Sequence, residues 1–173
     1  MVKKALILGS AITLWDDIDA ALDLSEFDVV VAANEAGVAW SGMLDAWVTL
    51  HPDEMAARIK RRQQRGYLDA KVIVDHWQVE YKFKGQRQSG SSGLFAVKYA
   101  LVDMAVDRAV CCGIPIEVES GRIDGKSSWP AAPAFKQGWE QSLPHLKDKV
   151  RSMSGWTSRL LGKPTAEWLQ QSR

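Results

Sequence analysis

Cysteine is almost missing from this 173-residue chain: Cys111 and Cys112 stand side by side, and there are no others. Neighbours on a strand point to opposite faces, so a disulfide between them would be strained. The pair reads as two small buried hydrophobes in a reducing cytoplasm, not as a metal site or redox couple. Charge of one sign is missing too. Lys and Arg number 22 against 21 Asp and Glu, a net charge of +1, so no global field recruits nucleic acid. The basic triplet Lys60-Arg61-Arg62 lies in a polar helical stretch and reads as a solvated face. There is no long apolar run. The N-terminal Met1-Val2-Lys3-Lys4-Ala5-Leu6-Ile7-Leu8-Gly9 is apolar over only a strand's length, too short for a signal peptide or a membrane span. The chain also has no P-loop, HExxH or CxxC metal motif, no triad spacing, no internal repeat and no linker dividing domains.

What is present fits a globular protein: 46% hydrophobic and 25% charged residues, enough for one core and one domain over 1–173. Short apolar runs at 5–8, 29–33, 47–50, 72–74, 109–112 and 150–152 have strand character. Helical patterns lie between or after them at 14–22, 53–65, 93–104, 135–146, 157–161 and 165–169. The first run is apolar on both faces, as a buried parallel strand must be. This alternation predicts an α/β, Rossmann-like three-layer fold with a mostly parallel sheet of about six strands. Two stretches break the pattern. Residues 75–90 hold Trp77, Tyr81 and Phe83, and residues 114–133 hold three prolines and two glycines, a length that suits a lid.

In open parallel sheets, ligands bind beyond the carboxyl ends of the strands. The first strand is followed by Gly9-Ser10-Ala11-Ile12-Thr13, a tight turn without the spacing of a dinucleotide fingerprint. Asn34 and Glu35 follow the second; Asn34 is either a turn residue or a hydrogen-bond partner for a base or ribose. After the third comes His51-Pro52-Asp53, where the histidine is either a general base or a helix cap. Gly113 follows the fifth strand, where a ligand can lie against the backbone. Before that strand, Ser89-Gly90-Ser91-Ser92-Gly93 runs into a helix. Such a start leaves backbone N–H groups for a phosphate, or the serines simply cap the helix. Of the eight tryptophans, Trp77 and Trp129 fall in irregular stretches and suit stacking on a base or sugar. Arg151, at the end of the last strand, is a possible phosphate partner.

The motifs Leu8-Gly9-Ser10, Phe27-Asp28-Val29-Val30-Val31-Ala32-Ala33-Asn34-Glu35, Gln86-Arg87-Gln88-Ser89-Gly90-Ser91-Ser92-Gly93 and Cys112-Gly113-Ile114 carry a resemblance. Over about residues 4–116 the chain resembles the Rossmann-like group uniting bacterial sialyltransferases with archaeal 6-hydroxymethylpterin diphosphokinase-like proteins. The resemblance implies a transferase whose cleft takes a nucleotide or nucleotide-sugar donor of the CMP-sugar type. Its nucleotide contacts would be Gly9, Ser10, Asn34, Ser91, Ser92, Gly93 and Gly113, with Glu35 beside them. His51 is the candidate catalytic base from its place after the third strand, since neither it nor His145 matches the family's base by position. Two departures stand out: Ala11 and Ile12 replace the second glycine and the proline of the family's first turn, and residues 114–133 carry no histidine. A Mg²⁺-dependent diphosphokinase-like enzyme is the alternative, and Asp45, Asp53 and Asp75 are its possible metal ligands. A nucleotide- or sugar-binding module without catalysis, or a homo-oligomeric scaffold, remains open. No metal site is expected from spacing, and no nucleic-acid or membrane partner.

Overall fold

The computed structural model describes residues 1–75 and 83–171. Its strands are β1 (Lys4–Leu8), β2 (Val29–Ala33), β3 (Ala46–Thr49), β4 (Ile73–Asp75), β5 (Arg108–Cys112) and β6 (Val150–Ser152). The helices are α1 (Leu14–Leu24), α2 (Glu35–Ala39), α3 (Met55–Gln64), α4 (Ser91–Val102), α5 (Ala132–Leu146), α6 (Gly155–Leu161) and α7 (Ala166–Gln170). The strands form one sheet in the order β4-β3-β2-β1-β5-β6, and every pair in it is parallel. This is the Rossmann-like arrangement expected from the alternation.

The two-residue period of a strand divides the core. Ala5 and Ile7 of β1 join Val31, Ala109 and Cys111 on one face, under α4 and α5. Leu6 and Leu8 join Ala32, Val110 and Cys112 on the other, under Leu14, Ile18 and Ala21 of α1. Cys111 and Cys112 therefore lie on opposite sides of the sheet, both as free thiols. Each Val, Leu or Ile side chain buried this way stabilises the fold by roughly 1.5–3 kcal/mol. Helix α4 is buried from Ser92 through Lys98 because it crosses β1, β2, β3 and β5 together. Trp168 and Leu169 of α7 close the second face.

Four local features differ from expectation. Helix α2 was not anticipated, since five residues are too few to show a 3.6-residue period. Gly37 within it is dictated by packing, because a Cβ there would lie 2.1 Å from the Trp47 indole. The pattern at 53–65 splits into a 3-10 turn, Pro52–Glu54, and α3. Helices α4 and α5 start earlier than expected, at Ser91 and Ala132. Lastly, Arg62 is not part of a solvated face. It is 1% exposed and donates to the carbonyls of Leu68 (2.6 Å), Gly37 (2.7 Å), Gly42 (2.9 Å) and Trp40. Trp77 and Tyr81 lie outside the described residues. Among the described residues, no helix is long and apolar enough to cross a membrane.

Candidate functional site

Strand β1 has β2 on one side and β5 on the other, so the chain reverses its direction of travel across the sheet between β1 and β5. Connections on the two sides then diverge, and a crevice opens at the carboxyl ends of these strands. Gly9 and Gly113 form its floor. The Gly9 N–H donates to Cys112 O at 2.8 Å and Ala11 N–H to Gly113 O at 3.1 Å. A Cβ on Gly9 would sit 2.4 Å from Gly113 O, and one on Gly113 would sit 2.7 Å from Gly9 O. Close contact between the two turns therefore requires both glycines. Asp17 of α1 secures this floor. Its Oδ2 accepts from Gly113 N–H at 2.8 Å, from the Ser154 hydroxyl at 2.6 Å and from the Thr13 hydroxyl at 3.1 Å.

Above the floor lies a niche of about 60 Å³, lined by Gly9, Ser10, Asn34, Ser91, Ser92, Gly93, Gly113, Arg122 and Trp129 among others. All the expected contacts except Glu35 meet here. Their polar atoms are engaged to different extents. Ser10 Oγ donates to Ala33 O at 3.3 Å and accepts from Ala36 N–H at 3.2 Å, so this hydroxyl ties the first turn to the start of α2. Ser91 and Ser92 brace the start of α4, whose N-cap is Gly90. Ser91 Oγ accepts from Gly93 N–H at 3.3 Å, and Ser92 Oγ accepts from Leu50 N–H at 3.2 Å. Both hydroxyls act there only as acceptors, so each keeps its own hydrogen to donate. The Ser92 N–H has no partner among the described residues. It sits at the positive end of the helix dipole.

Asn34 is held by four bonds that leave its amide nitrogen available, one of them from Gly37 N–H to its carbonyl at 3.1 Å. Its backbone N–H reaches Val48 O at 3.2 Å, its carbonyl accepts from the Trp47 indole at 2.8 Å, and its Oδ1 accepts from the Thr49 hydroxyl at 2.8 Å. Trp139 performs the same service for the serine loop, donating its indole N–H to Gly90 O at 2.8 Å. Gly138 beside it lets α5 approach, since a Cβ there would meet Ser89 O at 2.4 Å. Two buried tryptophans thus moor the two loops that frame the niche.

The niche opens into a chamber of about 720 Å³, whose lining includes Glu35, His51, Glu54, Arg58, Asp124, Lys126, Trp129 and Phe135. Glu35 lies here with its carboxylate engaged. Arg61 holds both oxygens, at 2.7 and 2.8 Å, and Arg58 Nε donates at 3.1 Å. Burial pushes this carboxyl up, but the bonds from Arg61 and Arg58 outweigh it and hold it below the usual carboxylate range. His51 is exposed, and its ring has no hydrogen bond among the described residues. The chamber's outer wall comes from the stretch 122–131, which pairs with the first turn through an antiparallel bridge between Ala11 and Arg122. Ile12 N–H to Gly121 O (2.7 Å) and Ile123 N–H to Ser10 O (3.0 Å) fasten it. Arg122 meets Asp124 at 3.3 Å, and Trp129 stacks on Phe135 at 5.2 Å.

Other expected groups lie elsewhere. Arg151 Nη1 donates to Leu161 O at 2.7 Å, and its guanidinium covers the Trp168 ring at 5.5 Å. Asp45 holds Lys71 and the Val30 N–H. Among the described residues, no three His, Cys, Asp or Glu gather to hold a metal ion. The sequence reading missed Thr49, Arg58, Arg122 and Asp17. Arg122 had a usable signal, a cation in the irregular stretch after β5.

No protein-family model matches the chain, and no curated protein matches it. Among solved structures it is similar to the sialyltransferase CST-II, solved in complex with a trisaccharide acceptor and CMP. The TM-score is 0.62 at 12% identity, over 99% of this chain and 89% of that one. At that identity the likeness is one of fold: an alternating β/α Rossmann-like fold with its cleft at the carboxyl ends of the strands.

Proposed function

We propose that this chain is a transferase that binds a nucleotide or nucleotide-sugar donor of the CMP-sugar type in the niche and brings an acceptor into the adjoining chamber. One observation carries the reading: unused donors converge on the niche, from the Asn34 amide, the Ser91 and Ser92 hydroxyls and the Ser92 N–H. A donor-rich pocket at a helix N-terminus suits an anionic, carbonyl-bearing ligand. The fold shared with a CMP-bound sialyltransferase supports the choice of nucleotide. In this reading the α4 start takes the phosphate and stabilises it as it leaves, and Trp129 packs on base or sugar. The lid aligns donor and acceptor, with His51 as the base.

Thermal shift with CMP, CDP, UDP, GDP, ADP and ATP, with and without Mg²⁺, tests the ligand class. A nucleotide at one hundred times its Kd stabilises by about 2.7 kcal/mol, a rise of several degrees for a chain of this size. No shift with any of them would sink the proposal. Ser91→Asp is the sharper probe. Its carboxylate can still cap Gly93, while its charge opposes a phosphate, so the variant should fold and bind at least about tenfold more weakly.

The His51 ring, without a hydrogen-bond partner among the described residues, favours a second reading, a binding module without catalysis, because a general base is normally oriented by a neighbour. Donor hydrolysis that is unchanged in His51→Ala would remove His51 as base. Nucleotide binding with no turnover of any CMP-sugar would favour the module. Mg²⁺-dependent diphosphoryl transfer lacks a three-ligand donor set among the described residues.

A further inference from the structure

Thr49 sits at the carboxyl end of β3 and is fully buried. Its hydroxyl makes three hydrogen bonds. It accepts from His51 N–H at 2.8 Å and from Arg58 Nη1 at 3.2 Å, and it donates to Asn34 Oδ1 at 2.8 Å. A threonine hydroxyl has one hydrogen and two lone pairs, so this set saturates it. With two N–H donors already directed at Thr49, only an acceptor can face it, and the Asn34 amide must present its oxygen there. Its NH2 group is left for the niche. Arg58 is 3% exposed and is itself clamped by Glu35 at 3.1 Å and by Glu54. We infer that Thr49, held by Arg58 and Glu35, is a positioning residue that fixes the Asn34 side chain as a donor and so selects a ligand with a carbonyl, ring-nitrogen or phosphate acceptor at that point.

This rests on the nucleotide reading above, and it gives Glu35 a role that reaches the ligand only through Arg58, Thr49 and Asn34. The expectation is specific to the hydroxyl. Thr49→Val keeps the shape but removes the bond, freeing the amide to rotate. Thr49→Ser keeps the bond.

Calorimetric titration with CMP tests it on five proteins: the parent, Thr49→Val, Thr49→Ser, Asn34→Ala, and Asn34→Ala with Thr49→Val. Thr49→Val should weaken CMP binding about tenfold, and Thr49→Ser should restore it to within about threefold of the parent. In the Asn34→Ala background, Thr49→Val should add no further loss, whereas a purely structural effect would add the same loss in both backgrounds. Unchanged binding in Thr49→Val, or an equal loss in both backgrounds, overturns the assignment. If Thr49→Val gives no cooperative melt, Asn34→Asp decides. It retains an acceptor for Thr49 but turns an anionic oxygen toward the niche, so CMP binding should fall at least about a hundredfold. Parent-like binding in that folded variant also overturns the assignment. A parent that binds neither CMP nor any other nucleotide overturns the ligand reading itself, and this assignment with it.

Discussion

Asn34, Ser91 and Ile116 adopt positive φ angles of 50°, 72° and 51°, and all three line the niche. Holding a non-glycine residue there costs about 1–3 kcal/mol and persists only where the surroundings enforce it. For Asn34 and Ser91, the bonds from Trp47 and Thr49 and the serine loop's own bonds supply that enforcement. Ala105 shares the conformation, with φ 49°, but lies in the turn between α4 and β5, away from the cleft. Ala105→Gly should therefore stabilise the protein by about 0.5–1 kcal/mol, raising Tm by about 2 °C and leaving ligand binding unchanged. At this scale sequence reading works where a residue's position on the strand determines its exposure. Asn34, Ser91, Ser92 and Gly113 can be placed at the niche from sequence because they follow strands or open a helix. Thr49 looks like any β-forming residue, and Arg58 like one more cation in a charged helix. Their roles depend on which groups tertiary packing brings beside them.

Helices α2 and α3 are joined by a buried cation. Arg62 serves four carbonyls and has no carboxylate partner among its hydrogen bonds, and burial pushes its guanidinium below the usual arginine range. Arg62→Met would leave those carbonyls without their donor, and a loss of about 3 kcal/mol or more is expected in urea unfolding. Here the sequence misleads for a physical reason. An arginine on a polar helix is exposed by default, and it is the unanticipated α2, the turn after it and Leu68 that together enclose this one. The strands, in contrast, were legible, because a sheet buried on both faces needs continuous apolar runs. Strand β5 adds a chemical expectation. Burial pushes both thiols, Cys111 and Cys112, well up, so neither should react with a thiol reagent until the protein unfolds.

Taken over the whole molecule, these shifts bound stability on the pH axis. Glu35 has a lowered folded pKa, so its contribution is present above the unfolded value of about 4.3 and is lost as pH falls through the folded one. The thiols have raised folded pKa values. Their contribution is intact below the unfolded value of about 8.5 and is lost as pH rises above it toward the folded values. The urea midpoint should be level between about pH 5 and 8 and fall on both sides. Cys111→Ala should reduce the alkaline fall, which a titration of midpoint against pH will show. Fold class and strand number were readable at this scale because they rest on alternation along the whole chain. Chemistry was not, because it depends on a few side chains whose neighbours are distant in sequence.

The apposed glycines at the floor of the cleft mark a seam. Gly9 belongs to the first quarter of the chain and Gly113 to the second half, with α4 arriving from between them. A ligand seated on all three would act as a clasp, since no single stretch of the chain offers it a complete site. Its binding energy would then appear in the cooperative opening of the whole sheet and not in local fraying. Hydrogen exchange should report this as an equal slowing at β1 and β5, with α7 exchanging as before.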